Sequence, residues 1–233
     1  MDVDDLDYLA SEQTPLGLIC LRQRGLPGDP KRRITEITLD HEFLMSSLAT
    51  ASEEALATRG VAFHGGSELD VLIGGLGLGY TARAALGCEA VARVEVVELL
   101  EPVIDWCERG LIPLAAELTA EPRLRVVQGD AYARLLAPTE EHFDLILVDV
   151  DHSPEESLGS SQHAFHSPQG LARARDHLRP GGVLAVWSYA KSPDFERAMA
   201  EVFETLRTEP VPFFNPAIGA EETNWLFLGR TGS

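Results

Sequence analysis

The sequence predicts an α/β fold. Its centre is a mostly parallel seven-stranded sheet with helices on both faces. A C-terminal antiparallel hairpin closes the sheet, and a small N-terminal β appendage precedes it. Three observations carry this prediction. From Asp70 onward, short apolar runs alternate with helical segments, the pattern of strands buried on both faces. The first run, Asp70-Val71-Leu72-Ile73, passes directly into Gly74-Gly75-Leu76-Gly77-Leu78-Gly79 and then into a helical stretch. The last two strand-like runs follow each other without room for a helix, as an antiparallel hairpin requires.

In chain order, Leu16 to Leu21 and Ile34 to Leu39 read as strands. The turn-rich Gly25-Leu26-Pro27-Gly28-Asp29-Pro30 separates them, so a hairpin or meander is expected. Thr50 and Glu53 have capping-box spacing and Gly60 suits a helix stop, which predicts a helix over 50–59. Strands are expected at 70–73, 93–97, 124–127, 143–149 and 183–187. Helices are expected at 80–86, 101–109, 130–136 and 168–178. A helix over 193–206 and strands over 209–214 and 224–229 complete the chain. The expected organisation is a small β-domain over 1–48 and a Rossmann-like catalytic domain over 49–233.

Composition narrows the partners. The 233 residues carry a net charge of -18, with 37 Asp and Glu against 19 Lys and Arg. Binding phosphates needs clustered Lys and Arg, so neither nucleic acid nor an anionic membrane is expected as a partner. The short Lys31-Arg32-Arg33 run reads as a solvated loop. Cys20, Cys88 and Cys107 are widely spaced with no CxxC, which fits a reducing cytoplasm. The acidic start Met1-Asp2-Val3-Asp4-Asp5 is unlike a signal peptide, and no apolar run has the roughly twenty residues of a membrane span. His163 and His166 form an HxxH pair in a polar loop, and no metal is expected there.

The glycines set the chemistry. Gly75, Gly77 and Gly79 read G-x-G-x-G, not the G-x-G-x-x-G of dinucleotide sites. The shorter form suits S-adenosylmethionine or a relative, or a purely structural turn. Glu98 ends the second strand about twenty residues on, where a carboxylate can accept both ribose hydroxyls. It could also be a surface glutamate, with Leu99 beside it. Asp130, followed by Ala131, is placed to accept an adenine amino group, to cap a helix, or both. The fourth strand ends in Asp149-Val150-Asp151-His152, outside the carboxyl end where ligands sit in open α/β sheets. Alternation puts Asp149 and Asp151 on one side, and such a like-charge pair raises one pKa toward that of a base working near neutrality. Trp187 and Tyr189 could line an acceptor pocket, with core packing as the other reading of Trp187.

These pieces together resemble the spermidine synthase family. The resemblance rests on the Ile73-Gly74-Gly75 turn, Val97-Glu98-Leu99, Gly129-Asp130-Ala131, and Asp144 and Ile146 leading to Asp149. Members are polyamine aminopropyltransferases, a branch of the S-adenosylmethionine methyltransferase superfamily. The resemblance implies a Rossmann-like methyltransferase fold, a homodimer, and a gate loop over Pro154 to Ser167. It also implies a small β-domain, with Leu39-Asp40-His41 where the family carries Leu-Asp-Gly. By carry-over, Glu98 would hold the ribose, Asp130 the adenine, and Asp149 the acceptor.

Three departures shape the expected function. The family's G-G-G-D-G loop has an acid for the aminopropyl amine, whereas Leu76-Gly77-Leu78-Gly79 has none. The second carboxylate of the family's D-x-x-D is His152 here, with Asp151 one residue earlier. The family's Tyr-His pair is absent from Ser52-Glu53-Glu54-Ala55-Leu56-Ala57. A buried ammonium left without its carboxylate costs about 3–5 kcal/mol. The first expectation is therefore an S-adenosylmethionine-dependent methyltransferase acting on a small amine or hydroxyl acceptor. Asp149 would orient the acceptor, and Asp151 or His152 would take its proton. The second expectation is aminopropyl transfer from decarboxylated S-adenosylmethionine, with Asp149 and Asp151 binding the amine. The third is a nucleotide-binding protein without catalysis.

Overall fold

The computed structural model describes residues 6–26, 29–150, 164–216 and 218–232. The chain opens with four strands: β1 (Leu6–Thr14), β2 (Gly17–Leu26), β3 (Asp29–Leu39) and β4 (Glu42–Ser46). They pair in sequence order as an antiparallel sheet. Only two residues join β3 to β4. Both are left-handed, Asp40 at φ 46° and His41 at φ 72°. That is the geometry of a type I′ hairpin turn, and it accounts for a family glycine where this chain has His41.

Helix α1 (Ala51–His64) leads into the alternating region. There follow β5 (Leu69–Gly74), α2 (Tyr80–Leu86), β6 (Val91–Glu98), α3 (Glu101–Glu108), α4 (Ala115–Ala120), β7 (Leu124–Gln128), α5 (Ala131–Leu136) and β8 (Phe143–Val148). After the segment outside the described residues come α6 (Pro168–Arg175), β9 (Leu178–Ser188), α7 (Pro193–Val202), β10 (Thr205–Asn215) and β11 (Ala220–Arg230). The second sheet has seven strands in the order β10-β11-β9-β8-β5-β6-β7. Pairings from β9 through β7 are parallel, and β11 runs antiparallel to both β9 and β10. This is the predicted Rossmann-like arrangement with its closing hairpin.

Side chains alternate between two cores, as the period of two in a strand demands. Val71, Ile73, Leu145, Leu147, Val183 and Ala185 face one cluster, with Leu56, Ala82, Val103 and Leu118 of α1 to α4. Leu72, Ile146, Val148, Leu184 and Val186 face the other, with Leu135, Leu171 and Phe195 of α5 to α7. Ile19, Leu21 and Ile37 of the first sheet belong to the first cluster. The small sheet thus buries its inner face on the same core as α1 and β5.

Two local expectations are corrected. Gly60 does not stop α1, whose C-cap is the left-handed Gly65. Gly60 lies inside the helix because a Cβ there would stand 3.1 Å from Leu147 and 3.2 Å from Leu145, so its lack of a side chain lets helix and sheet approach closely. Nor does the capping box close. Thr50 makes no side-chain cap bond, its hydroxyl meets Glu54 at 3.2 Å, and Glu53 is held elsewhere.

Candidate functional site

The order of the large sheet reverses at β5, whose neighbours are β6 and β8. The crevice at such a switch point is where α/β sheets bind ligands, and the glycine turn occupies it. Gly75, Gly77 and Gly79 have φ of 96°, 51° and 88°, in the left-handed range glycine adopts without strain. A Cβ on Gly75 would stand 2.3 Å from the carbonyl oxygen of Asp149, and one on Gly77 2.5 Å from Met45 Sδ. The turn is thus pressed between the end of β8 and the β4 strand of the small sheet. Leu76 and Leu78 are buried in the first core.

Glu98 ends β6 against this turn and is only 7% exposed. One carboxylate oxygen accepts from Leu76 N at 2.8 Å, the other from Leu100 N at 2.8 Å. Burial nevertheless pushes its pKa up, against the pull of those amides. Asp130 caps α5, its Oδ1 accepting from Ala133 N at 3.0 Å. Leu99 is 49% exposed beside Glu98. Ala131 packs against the start of the turn: a Cβ on Gly74 would meet its methyl at 2.9 Å.

On the other side of the turn lies a cavity of about 250 Å³, lined by β4, α1, the glycine turn, Asp149, Trp187 and the β10–β11 hairpin. Trp187 faces it, as one reading of the sequence expected, whereas Tyr189 is not among the residues that line it. Carboxylates reach it from four places: Glu36, Glu53, Asp149 and Glu222. Glu36 is neutralised by Arg22 at 3.0 Å and Arg24 at 2.7 Å, and Glu222 accepts from Asn215 at 2.6 Å. Asp149 is anchored by its own N–H, which donates to Gly74 O at 2.9 Å, and its carboxylate accepts from the Thr81 hydroxyl. Burial, then the charge of Glu53, pushes its pKa up to about 7, and the Thr81 bond opposes this. Glu53 accepts from Ser52 Oγ at 2.8 Å, which in turn accepts from Asn224 Nδ2 at 2.9 Å.

The structure sets Glu98 and Asp149 against the turn of Gly75 and Gly77, and Asp130 at the cap of α5. The sequence reading took Glu53 only as a capping residue; the signal it held was a carboxylate at the base of the helix preceding the glycine strand. Asp151, His152, His163 and the Pro154-to-His163 part of the expected gate loop lie outside the described residues. His166 packs edge-on against Phe195, Phe165 and Tyr132.

A family model described as "Spermine/spermidine synthase domain" matches residues 50–217. This chain belongs to the spermine/spermidine synthase family. That is a family of transferases, and it covers the whole span from α1 through β10. Polyamine aminopropyltransferase 2 of Streptomyces coelicolor is 32% identical over 203 residues, 85% of this chain and 35% of that protein. Putrescine N-methyltransferase 2 of Nicotiana attenuata is 33% identical over 116 residues, 49% of this chain and 29% of that protein. The chain therefore spans about a third of the length of these two relatives. The fold matches spermidine synthase from Thermotoga maritima with a TM-score of 0.74 at 18% identity, over 97% of this chain and 73% of that one. A spermidine synthase in complex with the transition-state analogue AdoDATO matches at a TM-score of 0.75 and 19% identity, over 97% and 74%.

Proposed function

We propose that this chain transfers an aminopropyl group from decarboxylated S-adenosylmethionine to a primary amine of a small polyamine. The observation that carries the reading is Asp149. It is a carboxylate with a pKa raised to about 7, on the wall of a cavity rich in acids and directly against the glycine turn. The identity with a polyamine aminopropyltransferase over 85% of the chain supports it.

The residues present fit an adenosyl group. Glu98 Oε1 accepts from Leu100 N at 2.8 Å, and Oε2 accepts from Leu76 N at 2.8 Å and from Gly77 N at 3.5 Å; a carboxylate oxygen has two lone pairs. A ribose hydroxyl can bind this carboxylate by taking the place of the long Gly77 contact. Asp130 uses Oδ1 in its cap and keeps Oδ2 for an exocyclic amino group. The exposed side chain of Leu99 offers apolar surface beside them. The donor, when bound, supplies a carbon made electrophilic by a positively charged sulfur. Asp149 holds the attacking amine in line with that carbon, and positioning of this kind supplies much of the rate. As the new C–N bond forms, the S–C bond breaks and its electron pair stays on sulfur, leaving a neutral thioether. The proton released by the new ammonium passes to Asp149. Asp151 and His152 follow Asp149 by two and three residues and are proposed to assist in proton removal.

A second reading is methyl transfer from S-adenosylmethionine to the same class of acceptor. The acid-free loop Leu76-Gly77-Leu78-Gly79 favours it, as does the identity with putrescine N-methyltransferases. Calorimetric titration with S-adenosylmethionine, its decarboxylated form and methylthioadenosine separates the readings. Preference for the decarboxylated form is expected. Tight binding of S-adenosylmethionine alone would move the assignment to methyl transfer, and binding of none would leave a protein without this chemistry. With an active amine in hand, Asp149→Asn should lower kcat by about 100-fold or more, the scale of a lost general base. Unchanged turnover would sink the role given to Asp149.

A further inference from the structure

Glu53 stands out among the acids near the cavity. Its helix neighbour Glu54 is paired with Arg83 at 2.5 Å, and Glu36 with Arg22 and Arg24. Among the described residues Glu53 has no ion-pair partner, and neither has Asp149, the acid beside it. Glu53 is not loose, however. Asn224 on β11 donates to Ser52, and Ser52 donates to Glu53. Ser52 is itself buried. Two elements distant in sequence thus fix one carboxylate at the cavity wall facing Asp149, which α2 holds through Thr81. Two like charges so placed repel each other and attract a cation. The cavity walls between them carry Leu76, Leu78, Met45 and Trp187, which suit methylene groups.

We propose that Glu53 is a specificity-determining residue: with Asp149 it clamps one ammonium group of the amine substrate. The inference rests on the amine-transfer reading above. It also gives Glu53 a second effect, because its charge keeps Asp149 protonated to higher pH when the cavity holds no cation. The other charged and titratable groups around Glu53 are Glu54 on its own helix, Tyr80 and Arg83 on α2, the Arg24–Glu36 pair on the small sheet, and Glu222 on β11.

The test is titration of the whole chain with putrescine and, separately, with methylthioadenosine, from pH 6 to 8.5. Glu53→Gln should weaken putrescine binding by roughly 10- to 100-fold, the scale of one lost hydrogen bond to a charged group. Methylthioadenosine affinity should stay within about twofold, as a lesion confined to the amine side requires. The pH midpoint of putrescine binding should also move down, since Asp149 loses its like-charged neighbour. Glu53→Asp should recover part of the affinity, and it serves as the test variant if the Gln form does not fold. Glu54→Gln should change neither ligand. Unchanged putrescine affinity, or loss of both ligands together, overturns the role of Glu53. A wild-type protein that binds methylthioadenosine but no amine, or neither ligand, overturns the amine-transfer reading and this inference with it.

Discussion

The two ends of the parallel sheet treat the same residue type in opposite ways. At the amino ends of β5 and β8, Asp70 and Asp144 are enclosed by arginines. Asp70 meets Arg93 at 2.7 Å and Arg179 at 2.8 Å, and Arg179 also pairs with Asp144. The hydrogen bond from Arg93 is the largest cause holding the Asp70 carboxyl below its usual range. At the carboxyl end, five residues beyond Asp144 and just past the end of the same strand, Asp149 has a threonine and a second acid for company, and its pKa rises to about 7. One end is closed with ions and serves stability. The other holds carboxylates without counter-ions, an arrangement that is stabilised when a cation enters.

The largest expected contrast is in the pH dependence of stability. The folded pKa of Asp149 lies above the unfolded value near 3.9, so its contribution is fully present below that value and is lost as pH rises through about 7. Asp149→Asn should therefore be more stable than wild type at pH 8, by roughly 2–4 kcal/mol. The gap should narrow at pH 5. Equal denaturation midpoints across that range would show that the cavity acids carry no such strain. Asp70→Asn should do the reverse. Its lowered pKa gives stability present above the unfolded value and lost on acidification, so the variant should lose about 1–2 kcal/mol at pH 7. The difference should fade toward pH 3, and urea titrations at both pH values would read it. Smallest of all is Arg93→Ala. Its side chain is largely exposed and Asp70 keeps Arg179, so the melting temperature should fall by no more than about 2 °C. A much larger drop would mean that the arginine end is not a redundant network.

The sheet was legible because each parallel strand is an apolar run ending in a turn. The acids proposed for the site, Glu98, Asp130 and Asp149, were legible because they stand at strand ends, where position along the chain fixes position in space. What could not be read was decided between distant segments. Gly60 looks like a helix stop until Leu145 and Leu147 are seen against it. Glu53 looks like half of a capping box, and only the arrival of Ser52, Asn224 and Asp149 around it gives it another role. The helix expected to reach residue 206 stops at Val202 because Thr205 begins β10, paired with Arg230. β1 was missed because its side chains alternate only between partly buried and exposed, which gives weak apolar contrast. α4 was missed because six residues barely exceed one helical period.

Met45, packed against Gly77, ties the hairpin of the small sheet to the heart of the site. Phe43, Leu44 and Ser46 line the same cavity from that hairpin. This wall of the cavity is therefore encoded apart from the strand ends that hold the acids. Changes in a few neighbouring codons, 43 to 46, can reshape what the cavity admits while β5, β6 and β8 keep their sequence. Under the proposed function, selection can thus retune substrate choice without reopening the question of how the chain folds.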